Sequence, residues 1–129
     1  MYTMSLTRLT RDYQDILQNP IYLWETYPNE SDIYTWTAIL SGHPESPYAG
    51  KSFSAKILFT EKYPFEPPQV KFTSHLEHPN VSPLGIVCAD ILKGPAWSPA
   101  YTVSTLLLSI GSLIFETPLV RSAPESIGQ

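Results

Sequence analysis

The sequence predicts a single α+β domain in which two helices pack on one face of a small antiparallel sheet. A helical pattern of apolar residues opens the chain, and four runs rich in β-branched and aromatic residues follow. A second helical pattern comes after a long irregular stretch. Strands joined in sequence by short turns pair as an antiparallel meander. Helices before and after such a sheet give an α+β domain. A chain of 129 residues has the length of one domain, so we assign 1–129 to a single unit.

The first helix is expected to start at Ser5, as its N-cap, and to run to about Gln18. An Asn-Pro pair then ends the helical pattern. The apolar stripe of this helix comprises Leu6, Leu9, Tyr13, Ile16 and Leu17. Arg8 and Arg11 fall together on the opposite, solvent side, and their charge pattern alone indicates an ordinary solvated face.

Four strands are predicted from alternation and from β-branched or aromatic content. They cover residues 21–27, 33–40, 52–59 and 69–72. Turn residues fill the first two links. The third link contains the proline-rich segment Tyr63-Pro64-Phe65-Glu66-Pro67-Pro68, which predicts a fixed, extended loop.

The stretch from 73 to 100 has almost no regular pattern, yet it holds most of the chemically active side chains. It contains the chain's only cysteine, Cys88, with His78, Asn80, Asp90 and Trp97. Long structureless segments within a compact domain are usually functional or disordered, and this content favours function. A lone thiol near an amide and a carboxylate indicates nucleophilic chemistry through a covalent intermediate.

Thr102 is expected to cap the second helix, which runs to about Phe115. Its buried stripe is predicted to be Leu106, Leu107, Ile110, Leu113 and Ile114. Pro118 and Pro124 are expected to close this helix off, and the tail over 121–129 to fray.

Composition excludes several classes of function. The formal net charge of −4 argues against nucleic acid as the main partner. No apolar run reaches the roughly 18 residues that cross a bilayer, and the N-terminus lacks a signal-peptide pattern, so no membrane partner is expected. One cysteine with scattered His43, His75 and His78 fits neither a zinc site nor a redox pair, so no metal is expected. A single cysteine also favours a reducing compartment, cytoplasmic or nuclear.

Four motifs together resemble the ubiquitin-conjugating enzymes over about positions 5–120. They are Tyr63-Pro64-Phe65-x-Pro67-Pro68, His78-Pro79-Asn80 with seven residues before Cys88, Trp97-Ser98-Pro99-Ala100, and Trp36 with Ser46-Pro47-Tyr48-x-Gly50. Each is weak alone, whereas all four in this order and spacing are specific. The resemblance implies the family's core fold and its reaction. Cys88 would accept ubiquitin or a ubiquitin-like protein from an activating enzyme, hold it as a thioester, and pass it to a lysine of a protein substrate or to a ubiquitin ligase. ATP would serve the activating enzyme, so no cofactor is expected on this chain.

The resemblance also implies roles for residues near the thiol. Asn80 would donate to the negative oxygen that develops when an amine attacks, or would only stabilise the loop. Asp90 would orient the attacking lysine, or would be an ordinary loop acid. His78 is interpreted as structural, bonded to loop backbone. Since Lys93 is the only cation near Cys88 in the sequence, transfer is expected to depend mainly on positioning by partner enzymes.

Two partner surfaces follow from the same resemblance. Arg8 and Arg11 match positions where the family's first helix meets the activating enzyme. The positions that match the loops gripped by ligases are Phe65, Pro99 and Ala100. An exposed Phe beside rigid prolines makes a preformed apolar anchor. Glu66 stands where the family often carries a basic residue, which reverses a local charge.

Two features depart from the family pattern. Only Phe115-Glu116-Thr117 precedes Pro118-Leu119, where the family has a longer acidic gate beside the thiol. The family core also continues for two more helices, so we expect this domain to be C-terminally short, either because the sequence is truncated or because the chain is a reduced member of the family. Apolar residues left uncovered on the second helix would forfeit burial, from which we expect self-association or a weakly stable monomer. The alternative function is a non-catalytic ubiquitin-conjugating-like variant that binds ubiquitin or a ligase. Such variants lack the cysteine, which favours the catalytic interpretation.

Overall fold

The structure, a computed structural model, describes residues 2–116 of the chain. Its helices and strands are α1 (Tyr2–Gln18), β1 (Trp24–Asn29), β2 (Asp32–Ser41), β3 (Ser52–Leu58), β4 (Gln69–Phe72) and α2 (Val103–Glu116). This order confirms the predicted helix, four strands, long loop and helix. Pro118, Pro124 and the tail over 121–129 lie outside the described residues.

The four strands form one antiparallel sheet in the order β1-β2-β3-β4, as a meander predicts. Thr26, Ala38, Ala55 and Phe72 lie opposite one another across the four strands. All four are buried, and burial alternates along each strand on either side of this row. One face of the sheet therefore carries the core, which it shares with buried side chains of both helices.

The first strand starts later than the sequence predicts. Residues 21–23 form a turn in which the amide of Trp24 donates to the carbonyl of Ile21 at 3.1 Å. Leu23 adopts a φ of +66°, a left-handed conformation that a leucine rarely takes and that its sequence does not signal. The strand then continues through Pro28 to Asn29, where a turn was expected.

The predicted N-cap of the first helix is wrong. α1 begins at Tyr2, and Ser5 lies inside it, fully buried, with its hydroxyl 2.7 Å from the hydroxyl of Tyr34. The side chain makes a tertiary bond to a strand rather than a local cap. The predicted stripe is only partly buried, because its last member, Leu17, is 63% exposed. Asp12, which was not assigned to the stripe, is only 3% exposed. The fully or nearly buried members of the stripe are Leu9 and Ile16.

The predicted cap of the second helix is confirmed, since the Thr102 hydroxyl accepts the amide of Thr105 at 3.2 Å. The most buried members of the predicted stripe are Leu106, Leu107, Ile110 and Ile114, each at most 1% exposed. The expected uncovered apolar surface is therefore not on this stripe, whereas Leu108, outside it, is 49% exposed among the described residues. Within residues 2–116, neither helix combines the length and apolar character that crossing a membrane requires.

Candidate active site and partner groove

The segment that carries Cys88 is ordered by short, non-repeating contacts. An isolated bridge between Lys71 and Ile86 fastens the segment to β4, and a second bridge, between Val81 and Val87, closes the segment on itself. Two single-turn 3₁₀ helices follow, at Asp90–Leu92 and Gly94–Ala96. Single bridges and single turns have no period, and the sequence therefore shows no regular pattern here.

A glycine sets the direction of the chain before the thiol. Gly85 has a φ of +91°, and a Cβ at this position would lie 2.1 Å from the carbonyl oxygen of Phe72. The carbonyl of Gly85 accepts the amide of Phe72 at 2.7 Å, and the amide of Gly85 donates to the carbonyl of Ser82 at 2.8 Å. Only glycine allows this close approach, so Gly85 fixes the turn that leads to Cys88.

Cys88 and Asn80 lie together, as the sequence predicts. The amide of Cys88 donates to the carbonyl of Asn80 at 2.7 Å, and Asn80 Nδ2 donates to the carbonyl of Cys88 at 3.1 Å. The thiol is exposed, with Sγ 3.8 Å from the carbonyl oxygen of Ile86. This arrangement fixes the backbone of the cysteine while leaving its sulfur open to a large reactant.

The two flanking candidates lie on either side of this pair. His78 is buried, and its Nδ1 accepts the amide of Asn80 at 3.0 Å, which confirms a structural role in the loop. Asp90 is exposed two residues after the thiol, where it opens the first 3₁₀ turn and accepts the amide of Lys93 through its carbonyl at 2.9 Å. Asp90 is thus exposed to solvent, two residues after the thiol.

The predicted partner residues meet at one groove, about 410 Å³ in volume, between α1 and two loops. The residues that line it are Met4, Thr7, Arg8, Arg11, Pro64, Phe65 and Pro99. Phe65 is 60% exposed and follows the cis peptide bond between Tyr63 and Pro64. Ala100 is exposed next to Pro99. Glu66 is exposed and pairs with Lys62 at 3.6 Å, so the reversed charge is partly balanced.

The expectation that Arg8 and Arg11 share a solvated face is wrong. Arg11 is exposed, whereas the Arg8 side chain is only 12% exposed. Arg8 Nη1 donates to the carbonyl of Pro99 at 2.8 Å, and Nη2 donates to the carbonyl of Tyr101 at 2.6 Å. Arg8 therefore turns toward the loop before α2, a long-range contact that helical spacing does not reveal.

The sequence matches the family described as "Ubiquitin-conjugating enzyme" over residues 8–127. The chain belongs to the ubiquitin-conjugating enzyme family. It is 43% identical over 116 residues to "Ubiquitin-conjugating enzyme E2 1" of Caenorhabditis elegans. The aligned region covers 90% of this chain and 60% of that relative's length. The solved structure of human ubiquitin-conjugating enzyme E2 G1 matches with a TM-score of 0.83 and 33% identity, over 88% of this chain and 96% of the other.

Sequence reasoning missed Asp12 and its contact with Tyr63 in this ubiquitin-conjugating fold. Asp12 is buried, and its Oδ2 accepts the hydroxyl of Tyr63 at 2.6 Å. Burial raises the pKa of Tyr63 strongly, and the charge of Asp12 and its hydrogen bond raise it further, against the opposing effect of Arg8 and Arg11. The phenol is thus held as a donor. The spacing of Asp12 four residues after Arg8 was the available signal for this contact, although the same spacing equally indicates an exposed ion pair on a helix.

The gate segment of this family member is described only at its start. Phe115 and Glu116 are the last residues of α2, and Thr117 lies outside the described residues. The Phe115 ring packs against Tyr48, with centroids 6.0 Å apart, and against His43 at 6.1 Å. Glu116 is exposed at a cavity of about 440 Å³ beside β1.

Proposed function

We propose that this chain accepts ubiquitin or a ubiquitin-like protein as a thioester on Cys88 and transfers it to a lysine or to a ligase. The observation that carries this proposal is the exposed thiol of Cys88 on a loop whose backbone is fixed by Asn80, in a member of the ubiquitin-conjugating enzyme family. A protein-sized acyl donor needs an exposed sulfur on a fixed backbone, because its carbonyl must approach from solvent in one orientation.

Loading is a thioester exchange. The sulfur of Cys88 attacks the carbonyl carbon of the modifier's C-terminus on the activating enzyme, and the new C–S bond forms as the old one breaks. The departing thiolate takes up the proton that Cys88 loses. Since one thioester replaces another, this step needs no energy source on this chain, and ATP is consumed earlier by the activating enzyme.

Discharge to lysine is an aminolysis. The amine attacks the thioester carbonyl, whose oxygen becomes negative while the carbon is tetrahedral. Asn80 uses one side-chain N–H for the carbonyl of Cys88, and its second N–H is the donor we assign to this oxygen. Collapse breaks the C–S bond and returns the sulfur of Cys88. The amine loses its proton to solvent, with the exposed carboxylate of Asp90 orienting the attacking lysine.

The groove between α1 and the two loops is the surface we assign to partner enzymes. Arg11 supplies an exposed positive charge for the activating enzyme, and Phe65 with Pro99 and Ala100 supplies an apolar anchor for a ligase. Because Arg11, Phe65 and Pro99 line one groove, the two partners are proposed to bind in turn rather than together.

The test is a loading assay with activating enzyme, ATP and labelled ubiquitin, analysed on reducing and non-reducing gels. Wild-type protein is expected to give a band shift that reductant removes, and Cys88→Ser a shift that resists reductant, because an ester replaces the thioester. Asp90→Asn, in the same loop, should still load. No shift with ubiquitin, or with ubiquitin-like proteins and their own activating enzymes, would favour the non-catalytic binding variant instead.

A further inference from the structure

A polar cluster whose centre, at Asp12 and Tyr63, is buried joins the three elements that form the partner groove. It consists of Arg8 and Asp12 from α1, Tyr63 from the proline-rich loop, and the backbone of residues 99–103 before α2. We call it the Asp12 cluster. Arg8 and Asp12 are themselves bonded, with Nε to Oδ1 at 3.3 Å.

Arg8 is the member that reaches the loop before α2. Two of its nitrogens donate to the carbonyls of Pro99 and Tyr101, at 2.8 and 2.6 Å. Its guanidinium carbon lies 5.7 Å from the centre of the Tyr63 ring. A planar guanidinium can donate to two carbonyls at once, and a lysine ammonium at the same position cannot reproduce that geometry. Each of the three nitrogens of Arg8 thus makes a hydrogen bond within its own chain.

Asp12 is the member that joins the other two elements. Its Oδ2 accepts the hydroxyl of Tyr63 at 2.6 Å and the amide of Val103, the first residue of α2, at 3.4 Å. A carboxylate that is only 3% exposed is tolerated when such donors and a countercharge surround it. Removing one partner therefore loosens the connection between the proline-rich loop and the start of α2.

We propose that Arg8 is a positioning residue of the partner groove and that Arg11 is the docking charge of α1. Through the Asp12 cluster, Arg8 fixes the distance between the two loops that carry Phe65 and Pro99. The exposed guanidinium of Arg11 is left to meet an acidic surface of the activating enzyme. This inference rests on the proposed function, because it assigns the groove to the partners of thioester transfer.

The cluster is distinct from the residues that hold the thiol. Cys88 is fixed by Asn80, and its segment is joined to β4 by the bridge between Lys71 and Ile86 and by the amide of Val87, which donates to the carbonyl of Val70. None of the cluster residues takes part in those contacts. Loss of the cluster should therefore weaken partner binding while the reaction of a bound partner continues. In kinetic terms, KM for loading rises and kcat stays close to wild type.

The experiment uses the full chain and ubiquitin-charged activating enzyme as the probe, with Arg8→Lys, Arg8→Ala and Arg11→Ala compared for KM and kcat of loading. We expect Arg8→Lys and Arg8→Ala to raise KM alike, by about fivefold or more, since both lose the two carbonyl bonds. Arg11→Ala should also raise KM, and this increase should shrink at high salt because an exposed charge is screened. If Arg8→Lys restored the wild-type KM while Arg8→Ala did not, Arg8 would act by charge and the proposal would be overturned.

Amide hydrogen exchange measured without any partner provides an independent readout. Both Arg8 variants should speed exchange over residues 98–104, whereas Arg11→Ala should leave it unchanged. If the Arg8 variants do not fold, Tyr63→Phe is a milder variant that keeps the ring. It removes the hydroxyl that Asp12 accepts and should speed exchange at Val103. Wild-type exchange rates in Arg8→Lys or in Tyr63→Phe would overturn the proposal. Failure of the wild-type protein to load would instead contradict the proposed function and leave the exchange result valid.

Discussion

Asn80 and Cys88 are joined by two hydrogen bonds that run in opposite directions between them. The amide of Cys88 donates to the carbonyl of Asn80 at 2.7 Å, and Asn80 Nδ2 donates to the carbonyl of Cys88 at 3.1 Å. The first bond is independent of the Asn80 side chain, whereas the second requires its amide group. Substitutions at Asn80 can therefore separate support of the loop from participation in transfer.

Asn80→Ala should discharge its thioester to free lysine about 10²–10³ times more slowly than wild type, because a donor to the developing oxyanion is lost. Loading should change much less, since the backbone bond to Cys88 remains. Asn80→Asp, which keeps the shape but has no N–H to donate, should show the same loss of discharge. Single-turnover rates measure both steps. If discharge and loading fell by the same factor, Asn80 would only stabilise the loop.

Gly85→Ala should destabilise the fold much more than Gly50→Ala. Both glycines have positive φ, +91° and +81°, so both substitutions carry backbone strain of about 1 kcal/mol or more. Only at position 85 would the new Cβ meet an atom, the carbonyl oxygen of Phe72 at 2.1 Å, whereas nothing lies within 4 Å at position 50. Urea unfolding of the two variants gives the difference. Equal losses of unfolding free energy would show that the loop before Cys88 moves aside freely.

Tyr63 should make the stability fall in alkaline solution. Its pKa in the fold is raised above the ordinary value by burial and by Asp12, so the folded protein keeps a proton that the unfolded chain loses above about pH 10. The stabilising contribution is complete below that pH and is lost as the pH rises, by at most about 1.4 kcal/mol per pH unit. Tyr63→Phe should remove this slope, and Tyr27→Phe, at an exposed position, serves as its control. An unchanged slope in Tyr63→Phe would contradict this assignment.

Phe65→Ala should leave stability nearly unchanged and weaken ligase-stimulated transfer. The ring is 60% exposed, so its removal creates no large cavity. Anchors of this kind often contribute 2 kcal/mol or more to binding, which corresponds to about a thirtyfold loss of affinity. Thermal unfolding and ligase titration measure the two effects separately. A large drop in melting temperature would show that Phe65 serves the fold rather than a partner.

The regular elements were predictable because periodicity reports burial. β4 matches its predicted limits, and α2 starts after Thr102 as the capping pattern indicates. The proximity of Asn80 and Cys88 was also accessible, through the motif that contains them. Thr102 and Thr105 are three residues apart, and Asn80 and Cys88 are eight apart.

The remaining features depend on contacts between distant parts of the chain. Ser5 bonds Tyr34, 29 positions away, and therefore did not act as a cap. Arg8 bonds carbonyls 91 and 93 positions away, and Asp12 bonds a tyrosine 51 positions away. An arginine and an aspartate spaced four apart look the same on an exposed helix and in a buried cluster, so helical spacing cannot distinguish them.

The most direct test of the central claim is intact-mass and peptide analysis of the chain after incubation with activating enzyme, ATP and ubiquitin. We predict a mass increase of one ubiquitin, carried by the peptide that contains Cys88 and removed by a thiol reductant. Two results would contradict the proposed thioester relay. In the wild-type chain, it would be ubiquitin found only on a lysine and not on Cys88; in Cys88→Ser, it would be an adduct at a site other than residue 88.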